Sequence, residues 1–404
     1  MLQKTIKKGI MKSIFYFASI LLLILTLTSC EEDQRGLLPV DSTPPGMVSN
    51  ITVENLPGGA ILTYNLPNDK DVLYVKALFE GSDGNIRESM ASYYTNRIEI
   101  EGLGEATDYN VKLVTVDESK NESEPVNVVV NPLTPPVVSV FNTLEAANDF
   151  GGPKLTWTNE LNADLAFYVL VRDTLSNEYI QADIFSSSMR EGNYISRGFN
   201  AEETDFAFLV VDRWGNRSDT LIQTLTPWFE EELPKSNFRE VKLPLDVTDY
   251  GYGWDMPRMW DNVHLSTGGT GYHTKTETYP VMFTMDLGVN ARLSRYKFWP
   301  RVAPFSYAAG NPRKWQIYGS SNYAADGSMD GWILLADCEQ IKPSGLPMGQ
   351  TNDEDEETNI AGLEFDFVRG VEPVRYIRFY ITESWSGAPF FHGMEVTFWG
   401  EIEE

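Results

Sequence analysis

Residues 279–301 read YPVMFTMDLGVNARLSRYKFWPR. β-Branched, aromatic and sulfur-containing residues crowd this stretch, and no helical period with caps runs through it, so it reads as strand. Four more segments of the same texture follow: NPRKWQIYGSSN (311–322), DGWILLADC (330–338), VRYIRFYITESW (374–385) and FHGMEVTFWG (391–400). Gly-, Pro- and Asp-rich turns separate them. From about Phe238 onward, eight or so short strands of this kind predict a β jelly roll. Trp315, Ile317, Ile377, Phe379, Val396 and Phe398 should alternate into its core.

The wording and order of five pieces, MDLG (285–288), WQIYGSSN (315–322), GWILL (331–335), RYIRFY (375–380) and MEVTFWG (394–400), resemble the factor V/VIII type C, or discoidin, galactose-binding-like fold. The resemblance covers about 160 residues. It implies ligand binding on loops at one end of the jelly roll. Those loops would be GWDMPRMWDNVHLSTGGTGYHT (253–274), WPRVAPFSYAAGNPR (299–313) and TESWSGAPFFHG (382–393). They mix aromatic with hydrogen-bonding side chains, as a sugar requires. A ring face stacks on sugar C–H groups, while planar polar groups bond hydroxyl pairs. Trp260, His273, Arg301, Tyr307, Asn311, Trp385 and His392 are the glycan-binding candidates. Each has a structural alternative. Trp260 would be a core ring, Arg301 half of an ion pair and Asn311 the start of a turn. His392 would pack beneath the last strand, and Tyr307 and Trp385 would be ordinary surface aromatics. The resemblance also implies a structural calcium, here between Asp261 and Glu395, although Asp261-Asn262 stands where relatives have Asp-Gly. The acidic run Asn352–Thr358 reads as a solvated loop.

The first half repeats itself. STPPG (42–46) and LTPPV (133–137) are followed by GAILTYNLPNDKDVLYVKALFE and GPKLTWTNELNADLAFYVLVRD, and the units close with VDESKNES and VDRWGNRS. A spacing near 91–95 residues is one β-sandwich. ILTYNL, LYVKALF, RIEIEGL and YNVKLVTV read as strands, and residues 43–225 show no sustained helical period. The closing turns resemble a late hairpin of fibronectin type III domains. Asp117, Asn121, Asp212 and Asn216 are read there as turn formers that bond their own backbone rather than as calcium ligands. The expected architecture is thus all-β: two fibronectin type III/immunoglobulin-like sandwiches (43–132 and 133–228), then a discoidin-like jelly roll (234–404).

Residues 1–29 carry four lysines, no acid, and an apolar block from Ile14 to Leu27, the pattern of an export signal. Met11 is an alternative start. Leu27-Thr28-Ser29-Cys30 matches the bacterial lipobox, so Cys30 is the expected lipidation site and 30–42 an acidic linker. Glu31-Glu32-Asp33 resembles the surface-export signal of Bacteroidetes lipoproteins. Together with the sandwiches and jelly roll, this makes the chain similar to surface lipoproteins of polysaccharide-utilisation systems.

The formal charge is −26, and removing the four leader lysines takes it to about −30. That argues against a nucleic-acid partner, whose phosphates need basic groups. Past Cys30 only Cys338 remains, which leaves no disulfide framework and no cysteine metal site. No nucleophile elbow, zinc-protease motif, P-loop or dinucleotide fingerprint occurs. The chain therefore reads as non-catalytic. The leading expectation is a lipid-anchored, outer-membrane glycan binder. The alternatives are a scaffold for transporter or enzyme partners, and a hydrolase with a carboxylate pair that only geometry would reveal.

Overall fold

A computed structural model describes residues 42–265, 271–275 and 278–403. Cys30 and the rest of the leader lie outside the described residues. Among the described residues no helix is long and apolar enough to cross a membrane.

The first sandwich comprises β1 (Ser49–Leu56), β2 (Gly59–Asn65), β3 (Val72–Glu80), β4 (Ile86–Ser92), β5 (Arg97–Glu101), β6 (Tyr109–Asp117) and β7 (Val126–Val130). The second comprises β8 (Glu145–Asp149), β9 (Gly152–Thr158), β10 (Leu165–Arg172), β11 (Tyr179–Ser187), β12 (Glu191–Ile195), β13 (Thr204–Asp212) and β14 (Leu221–Leu225). Sheet orders β1-β2-β5 and β4-β3-β6-β7 in the first become β8-β9-β12 and β11-β10-β13-β14 in the second. The second set is the first shifted by seven strands, so the sequence repeat is a repeat of topology.

The repeated residues do the same work in both. Leu62 and Tyr64 on β2 are fully buried, as Leu155 and Trp157 on β9 nearly are. Each fills the space between its own two sheets, where burying a large apolar side chain contributes about 1.5–3 kcal/mol. Ser123 Oγ accepts from the Thr115 amide at 3.0 Å, and Ser218 Oγ accepts from the Val210 amide at 2.9 Å. The two serines close equivalent hairpins. Asp117 accepts from the Asn121 amide at 2.8 Å and from its side chain at 2.9 Å, which is the turn role expected for that pair. One difference is a helix, α1 (Pro136–Phe141), with Val137 and Val140 buried. Six residues are too few to show a sustained helical period, so this helix left no such signal in the sequence.

The second sandwich and the jelly roll form one compact unit. The jelly-roll strands are β15 (Glu231–Glu232), β16 (Arg239–Val241), β17 (Tyr272–His273), β18 (Val281–Pro300), β19 (Pro312–Ser320), β20 (Ile333–Glu339), β21 (Leu363–Asp366), β22 (Val374–Ser384) and β23 (His392–Ile402). They run β15-β23-β18-β22-β19-β20, with β16 and β21 also on β18 and β17 on β23. The opening stretch is one strand of 20 residues. Its first part pairs with β22 (Val281↔Ile381 to Asp286↔Tyr376) and its second with β23 (Ala291↔Ile402 to Pro300↔Gly393). Gly288 lies between the two parts with φ +73, a conformation that costs a residue with a Cβ. Trp315, Ile317, Ile377, Phe379, Val396 and Phe398 are all buried, as their alternation predicted. Trp315 Nε1 donates to Tyr296 Oη at 2.7 Å, and Tyr296 Oη lies 3.1 Å from Cys338 Sγ. Burial pushes the Cys338 thiol up to about 12, so it sits in the core as an unreactive thiol.

The run Asn352–Thr358 is not a loop. It opens helix α2 (Asp353–Ala361). Asn352 Oδ1 accepts from the Asp355 amide at 2.9 Å, and Asp355 Oδ2 accepts from the Asn352 amide at 3.2 Å, a reciprocal cap. Four acids in the first turn face the positive end of the helix dipole.

Candidate functional site

The register of the sheet assembles the site. Pro300 pairs with Gly393 at the end of β18, so Arg301 emerges beside the start of β23. His273 pairs directly with His392. The His273 amide donates to the Trp254 carbonyl at 3.0 Å, which ties the 250s loop to the same place. Main-chain bonds thus bring residues from four separate segments into one cluster.

The Arg301 guanidinium carbon lies 3.6 Å from the Phe305 ring centroid and 5.2 Å from that of Trp254. Arg301 Nη1 is 3.5 Å from His392 Nδ1. His392 is 4.9 Å from Trp254 and 5.0 Å from His273, centroid to centroid. Phe390 stacks on His273 at 5.1 Å with an interplanar angle of 18°. Tyr252, 83% exposed, stands edge-on to His273 at 5.2 Å. Phe390 lies so close over Gly310 that a Cβ there would be 2.3 Å from its ring. His273 Nδ1 is 2.8 Å from the Thr274 carbonyl, and burial lowers its pKa, with the nearby Arg301 charge acting in the same direction. We call this partly buried, ring-lined cluster the recess; its polar groups among the described residues include one guanidinium and two imidazoles.

Of the seven glycan-binding candidates, the structure brings together Arg301, His273 and His392. His392 is 1% exposed, so it forms the floor rather than the rim. Asn311 is corrected from ligand to support. It is buried, accepts from the Arg301 amide at 2.9 Å, and donates to the carbonyls of Arg301 and Phe305, each at 2.9 Å. Tyr307 is corrected likewise. It is fully buried and donates to the Asp355 carbonyl of α2 at 3.2 Å. Trp385 stands edge-on to Tyr307 at 5.3 Å and donates to Gln340 Oε1 at 2.7 Å. Gln340 passes this on to Asn359 at 2.7 Å, and Asn359 Nδ2 reaches the Arg301 carbonyl at 3.3 Å. Trp260 packs against the core, edge-on to Phe238 at 6.1 Å. Tyr252, Trp254, Phe305 and Phe390 were missed as individual residues. Their signal was aromatics spaced by glycine and serine, as in YGYGW (250–254), where no strand core needs them.

Asp261 and Glu395 do not fit a calcium ion. Lys235 Nζ lies 2.6 Å from Glu395 Oε1 and 3.0 Å from Asn262 Oδ1, and the Asn262 amide donates to Glu395 Oε2 at 3.1 Å. An ammonium holds the place a cation would take. Asp261 instead accepts from the Val263 amide at 2.9 Å. Asn262 adopts φ +66, the left-handed conformation that glycine favours and asparagine tolerates. Burial pushes the Glu395 carboxyl up to about 7, against the pull of Lys235. Among the described residues no cluster of three metal-ligating side chains occurs.

Three domain-family models match in tandem, each described as a domain of unknown function: DUF4959 over 45–132, DUF5126 over 133–236 and DUF5000 over 260–400. No curated protein matches the chain. Among solved structures, SusE-like protein BT2857 is 32% identical, with 67% of this chain and 100% of that one covered and a TM-score of 0.45. A family 32 carbohydrate-binding module of C. perfringens NanJ, solved with galactose, is 15% identical over 42% of this chain and 98% of its own, with a TM-score of 0.30. A putative chitobiase fragment from Bacteroides thetaiotaomicron is 20% identical over 43% of this chain and 95% of its own, with a TM-score of 0.32. On the strength of 32% identity along the whole length of that first protein, the chain belongs to the SusE-like family.

Proposed function

We propose that the chain is a non-catalytic, lipid-anchored surface protein that binds glycan through the recess around Arg301. The observation that carries this is the combination of Trp254, Tyr252 and Phe390 rings with an arginine and two histidines at one end of the jelly roll. Rings supply stacking surface for a sugar, and the planar guanidinium and imidazoles bond its oxygens. Membership of the SusE-like family, and the carbohydrate-binding module among its structural neighbours, support a role in polysaccharide capture. The two sandwiches are read as a stalk, and transporter or enzyme components of the same system are the expected partners.

A glycan array probed with the purified chain tests the binding claim. Saturable binding to a defined glycan is expected, weakened about tenfold by Trp254→Ala, which corresponds to ~1.4 kcal/mol. A folded chain that binds nothing on the array rejects the reading and favours the scaffold role. The anchor at Cys30 has its own test. The Cys30→Ala chain should be recovered in the soluble fraction, and its retention in outer membranes would reject lipidation there.

A further inference from the structure

We infer that the sugar taken by this recess carries a carboxylate, so that its ligand is an acidic, uronate-containing glycan. The inference rests on the glycan reading above and deepens it.

The argument is one of withheld counterions. The sequence holds 58 acids against 32 basic residues, so a basic side chain finds an acidic partner easily. Its arginines show this. Arg258 pairs with Asp255 at 3.0 Å and Arg313 with Glu383 at 3.0 Å, both on the site's own loops. Arg295, Arg369, Arg375 and Arg378 each have a carboxylate within 3.3 Å. Arg301 differs. Among the described residues it is the one arginine partly withdrawn from water that has no carboxylate within ion-pair distance. Its side chain has rings on two sides and an imidazole at 3.5 Å.

A cation half-removed from water is costly unless something anionic meets it. Burial lowers the Arg301 pKa, and no acid among the described residues opposes that shift. His392 Nδ1 accepts from the guanidinium as a neutral imidazole nitrogen, and neither histidine supplies negative charge. The guanidinium fork matches a carboxylate in two parallel hydrogen bonds, each charge-assisted and about twice as strong as a neutral one. The same recess offers ring faces for the sugar that bears the carboxylate. The overall negative charge of the chain does not prevent this, because at physiological salt it is screened beyond roughly 8 Å.

The test uses pairs of ligands that differ only in the acid. Oligogalacturonides and hyaluronan oligosaccharides are titrated calorimetrically into the purified chain beside their carboxyl-reduced counterparts, at physiological ionic strength. For at least one pair, the acidic form should bind tenfold or more tightly. Arg301→Gln should abolish that gap while the melting temperature stays in place, because Asn311 holds the main chain of Arg301 and not its side chain. Equal binding of acid and reduced forms overturns the inference and leaves the glycan reading standing. So does a preference for sulfated over carboxylated sugars, or a gap that persists in Arg301→Gln. Failure of every acidic and neutral glycan to bind overturns both.

Discussion

Lys235 and Arg301 are two cations of the same jelly roll with opposite surroundings. Lys235 lies against a buried carboxylate and an asparagine oxygen, while Arg301 lies against rings and an imidazole. The first is satisfied within the fold, so its charge goes into stability. The second is held in position but has no anion within ion-pair distance among the described residues, so its charge is available to a ligand. The difference teaches how to separate supporting residues from binding residues in a domain crowded with aromatics. The question to ask of each polar group is whether the chain has already answered it. By that measure Asn311, Tyr307 and Trp385 belong with Lys235, while His273 stands between the two, with Nδ1 against the Thr274 carbonyl and its ring stacked on Phe390.

The largest effect expected from breaking this contrast is at Lys235. Glu395 is 1% exposed, and removing the partner of a buried charge typically costs about 3–5 kcal/mol. Lys235→Met should therefore lower the thermal midpoint by about 6–20 °C, since ~1 kcal/mol corresponds to roughly 2–4 °C in a domain of this size. Sugar affinity should be unchanged. The deficit should depend on pH in a definite direction. The folded-state pKa of Glu395 is raised to about 7, above its ordinary value, so its titration favours the folded state in acid and that contribution is lost as pH rises through about 7. Once protonated, Glu395 no longer needs a cation. Thermal melts of Lys235→Met at pH 8 and pH 5 should show the larger deficit at pH 8. If the deficit is equal at both, Lys235 is not the counterion of Glu395. Chelation of divalent ions should leave the wild-type midpoint in place.

Much of the fold was legible because its signals are local. The alternation in LTYNL and KLTWT places Tyr64 and Trp157 in matching cores, and the Asn-x-Ser turns place Ser123 and Ser218 in matching hairpins. The candidate site was legible only in part, because side chains become neighbours there through strand register. His273 and His392 are 119 residues apart in the chain and directly opposed in the sheet. Nothing local distinguishes His273, which faces the recess, from Asn311, which staples the loop beneath it. Both are polar residues in Gly- and aromatic-rich loops. Lys235 escaped notice for the same reason, since its partner lies 160 residues away. The helix at 353–361 was missed because its acids read as solvated charge, when their value lies in capping and in facing the helix dipole.

The smaller expected effect sharpens the comparison from the other side. Asn311 is buried and uses both ends of its amide, accepting once and donating twice. Asn311→Ala leaves the Arg301 amide and two carbonyls without that partner, and a net hydrogen bond is worth about 0.5–1.5 kcal/mol. A loss of about 2–3 kcal/mol is expected in denaturant unfolding, less than at Lys235. Unlike Lys235→Met, this change should also weaken sugar binding, because the freed main chain carries Arg301 with it. Asn311→Asp keeps the acceptor for the Arg301 amide but removes both donors and sets a carboxylate against the carbonyls of Arg301 and Phe305. It should bind an acidic sugar worse than Asn311→Ala does, even if it is no less stable. Equal sugar affinity in Asn311→Ala and the wild type would mean that the rings alone hold the guanidinium, and the distinction between support and ligand would move to Phe305 and Trp254.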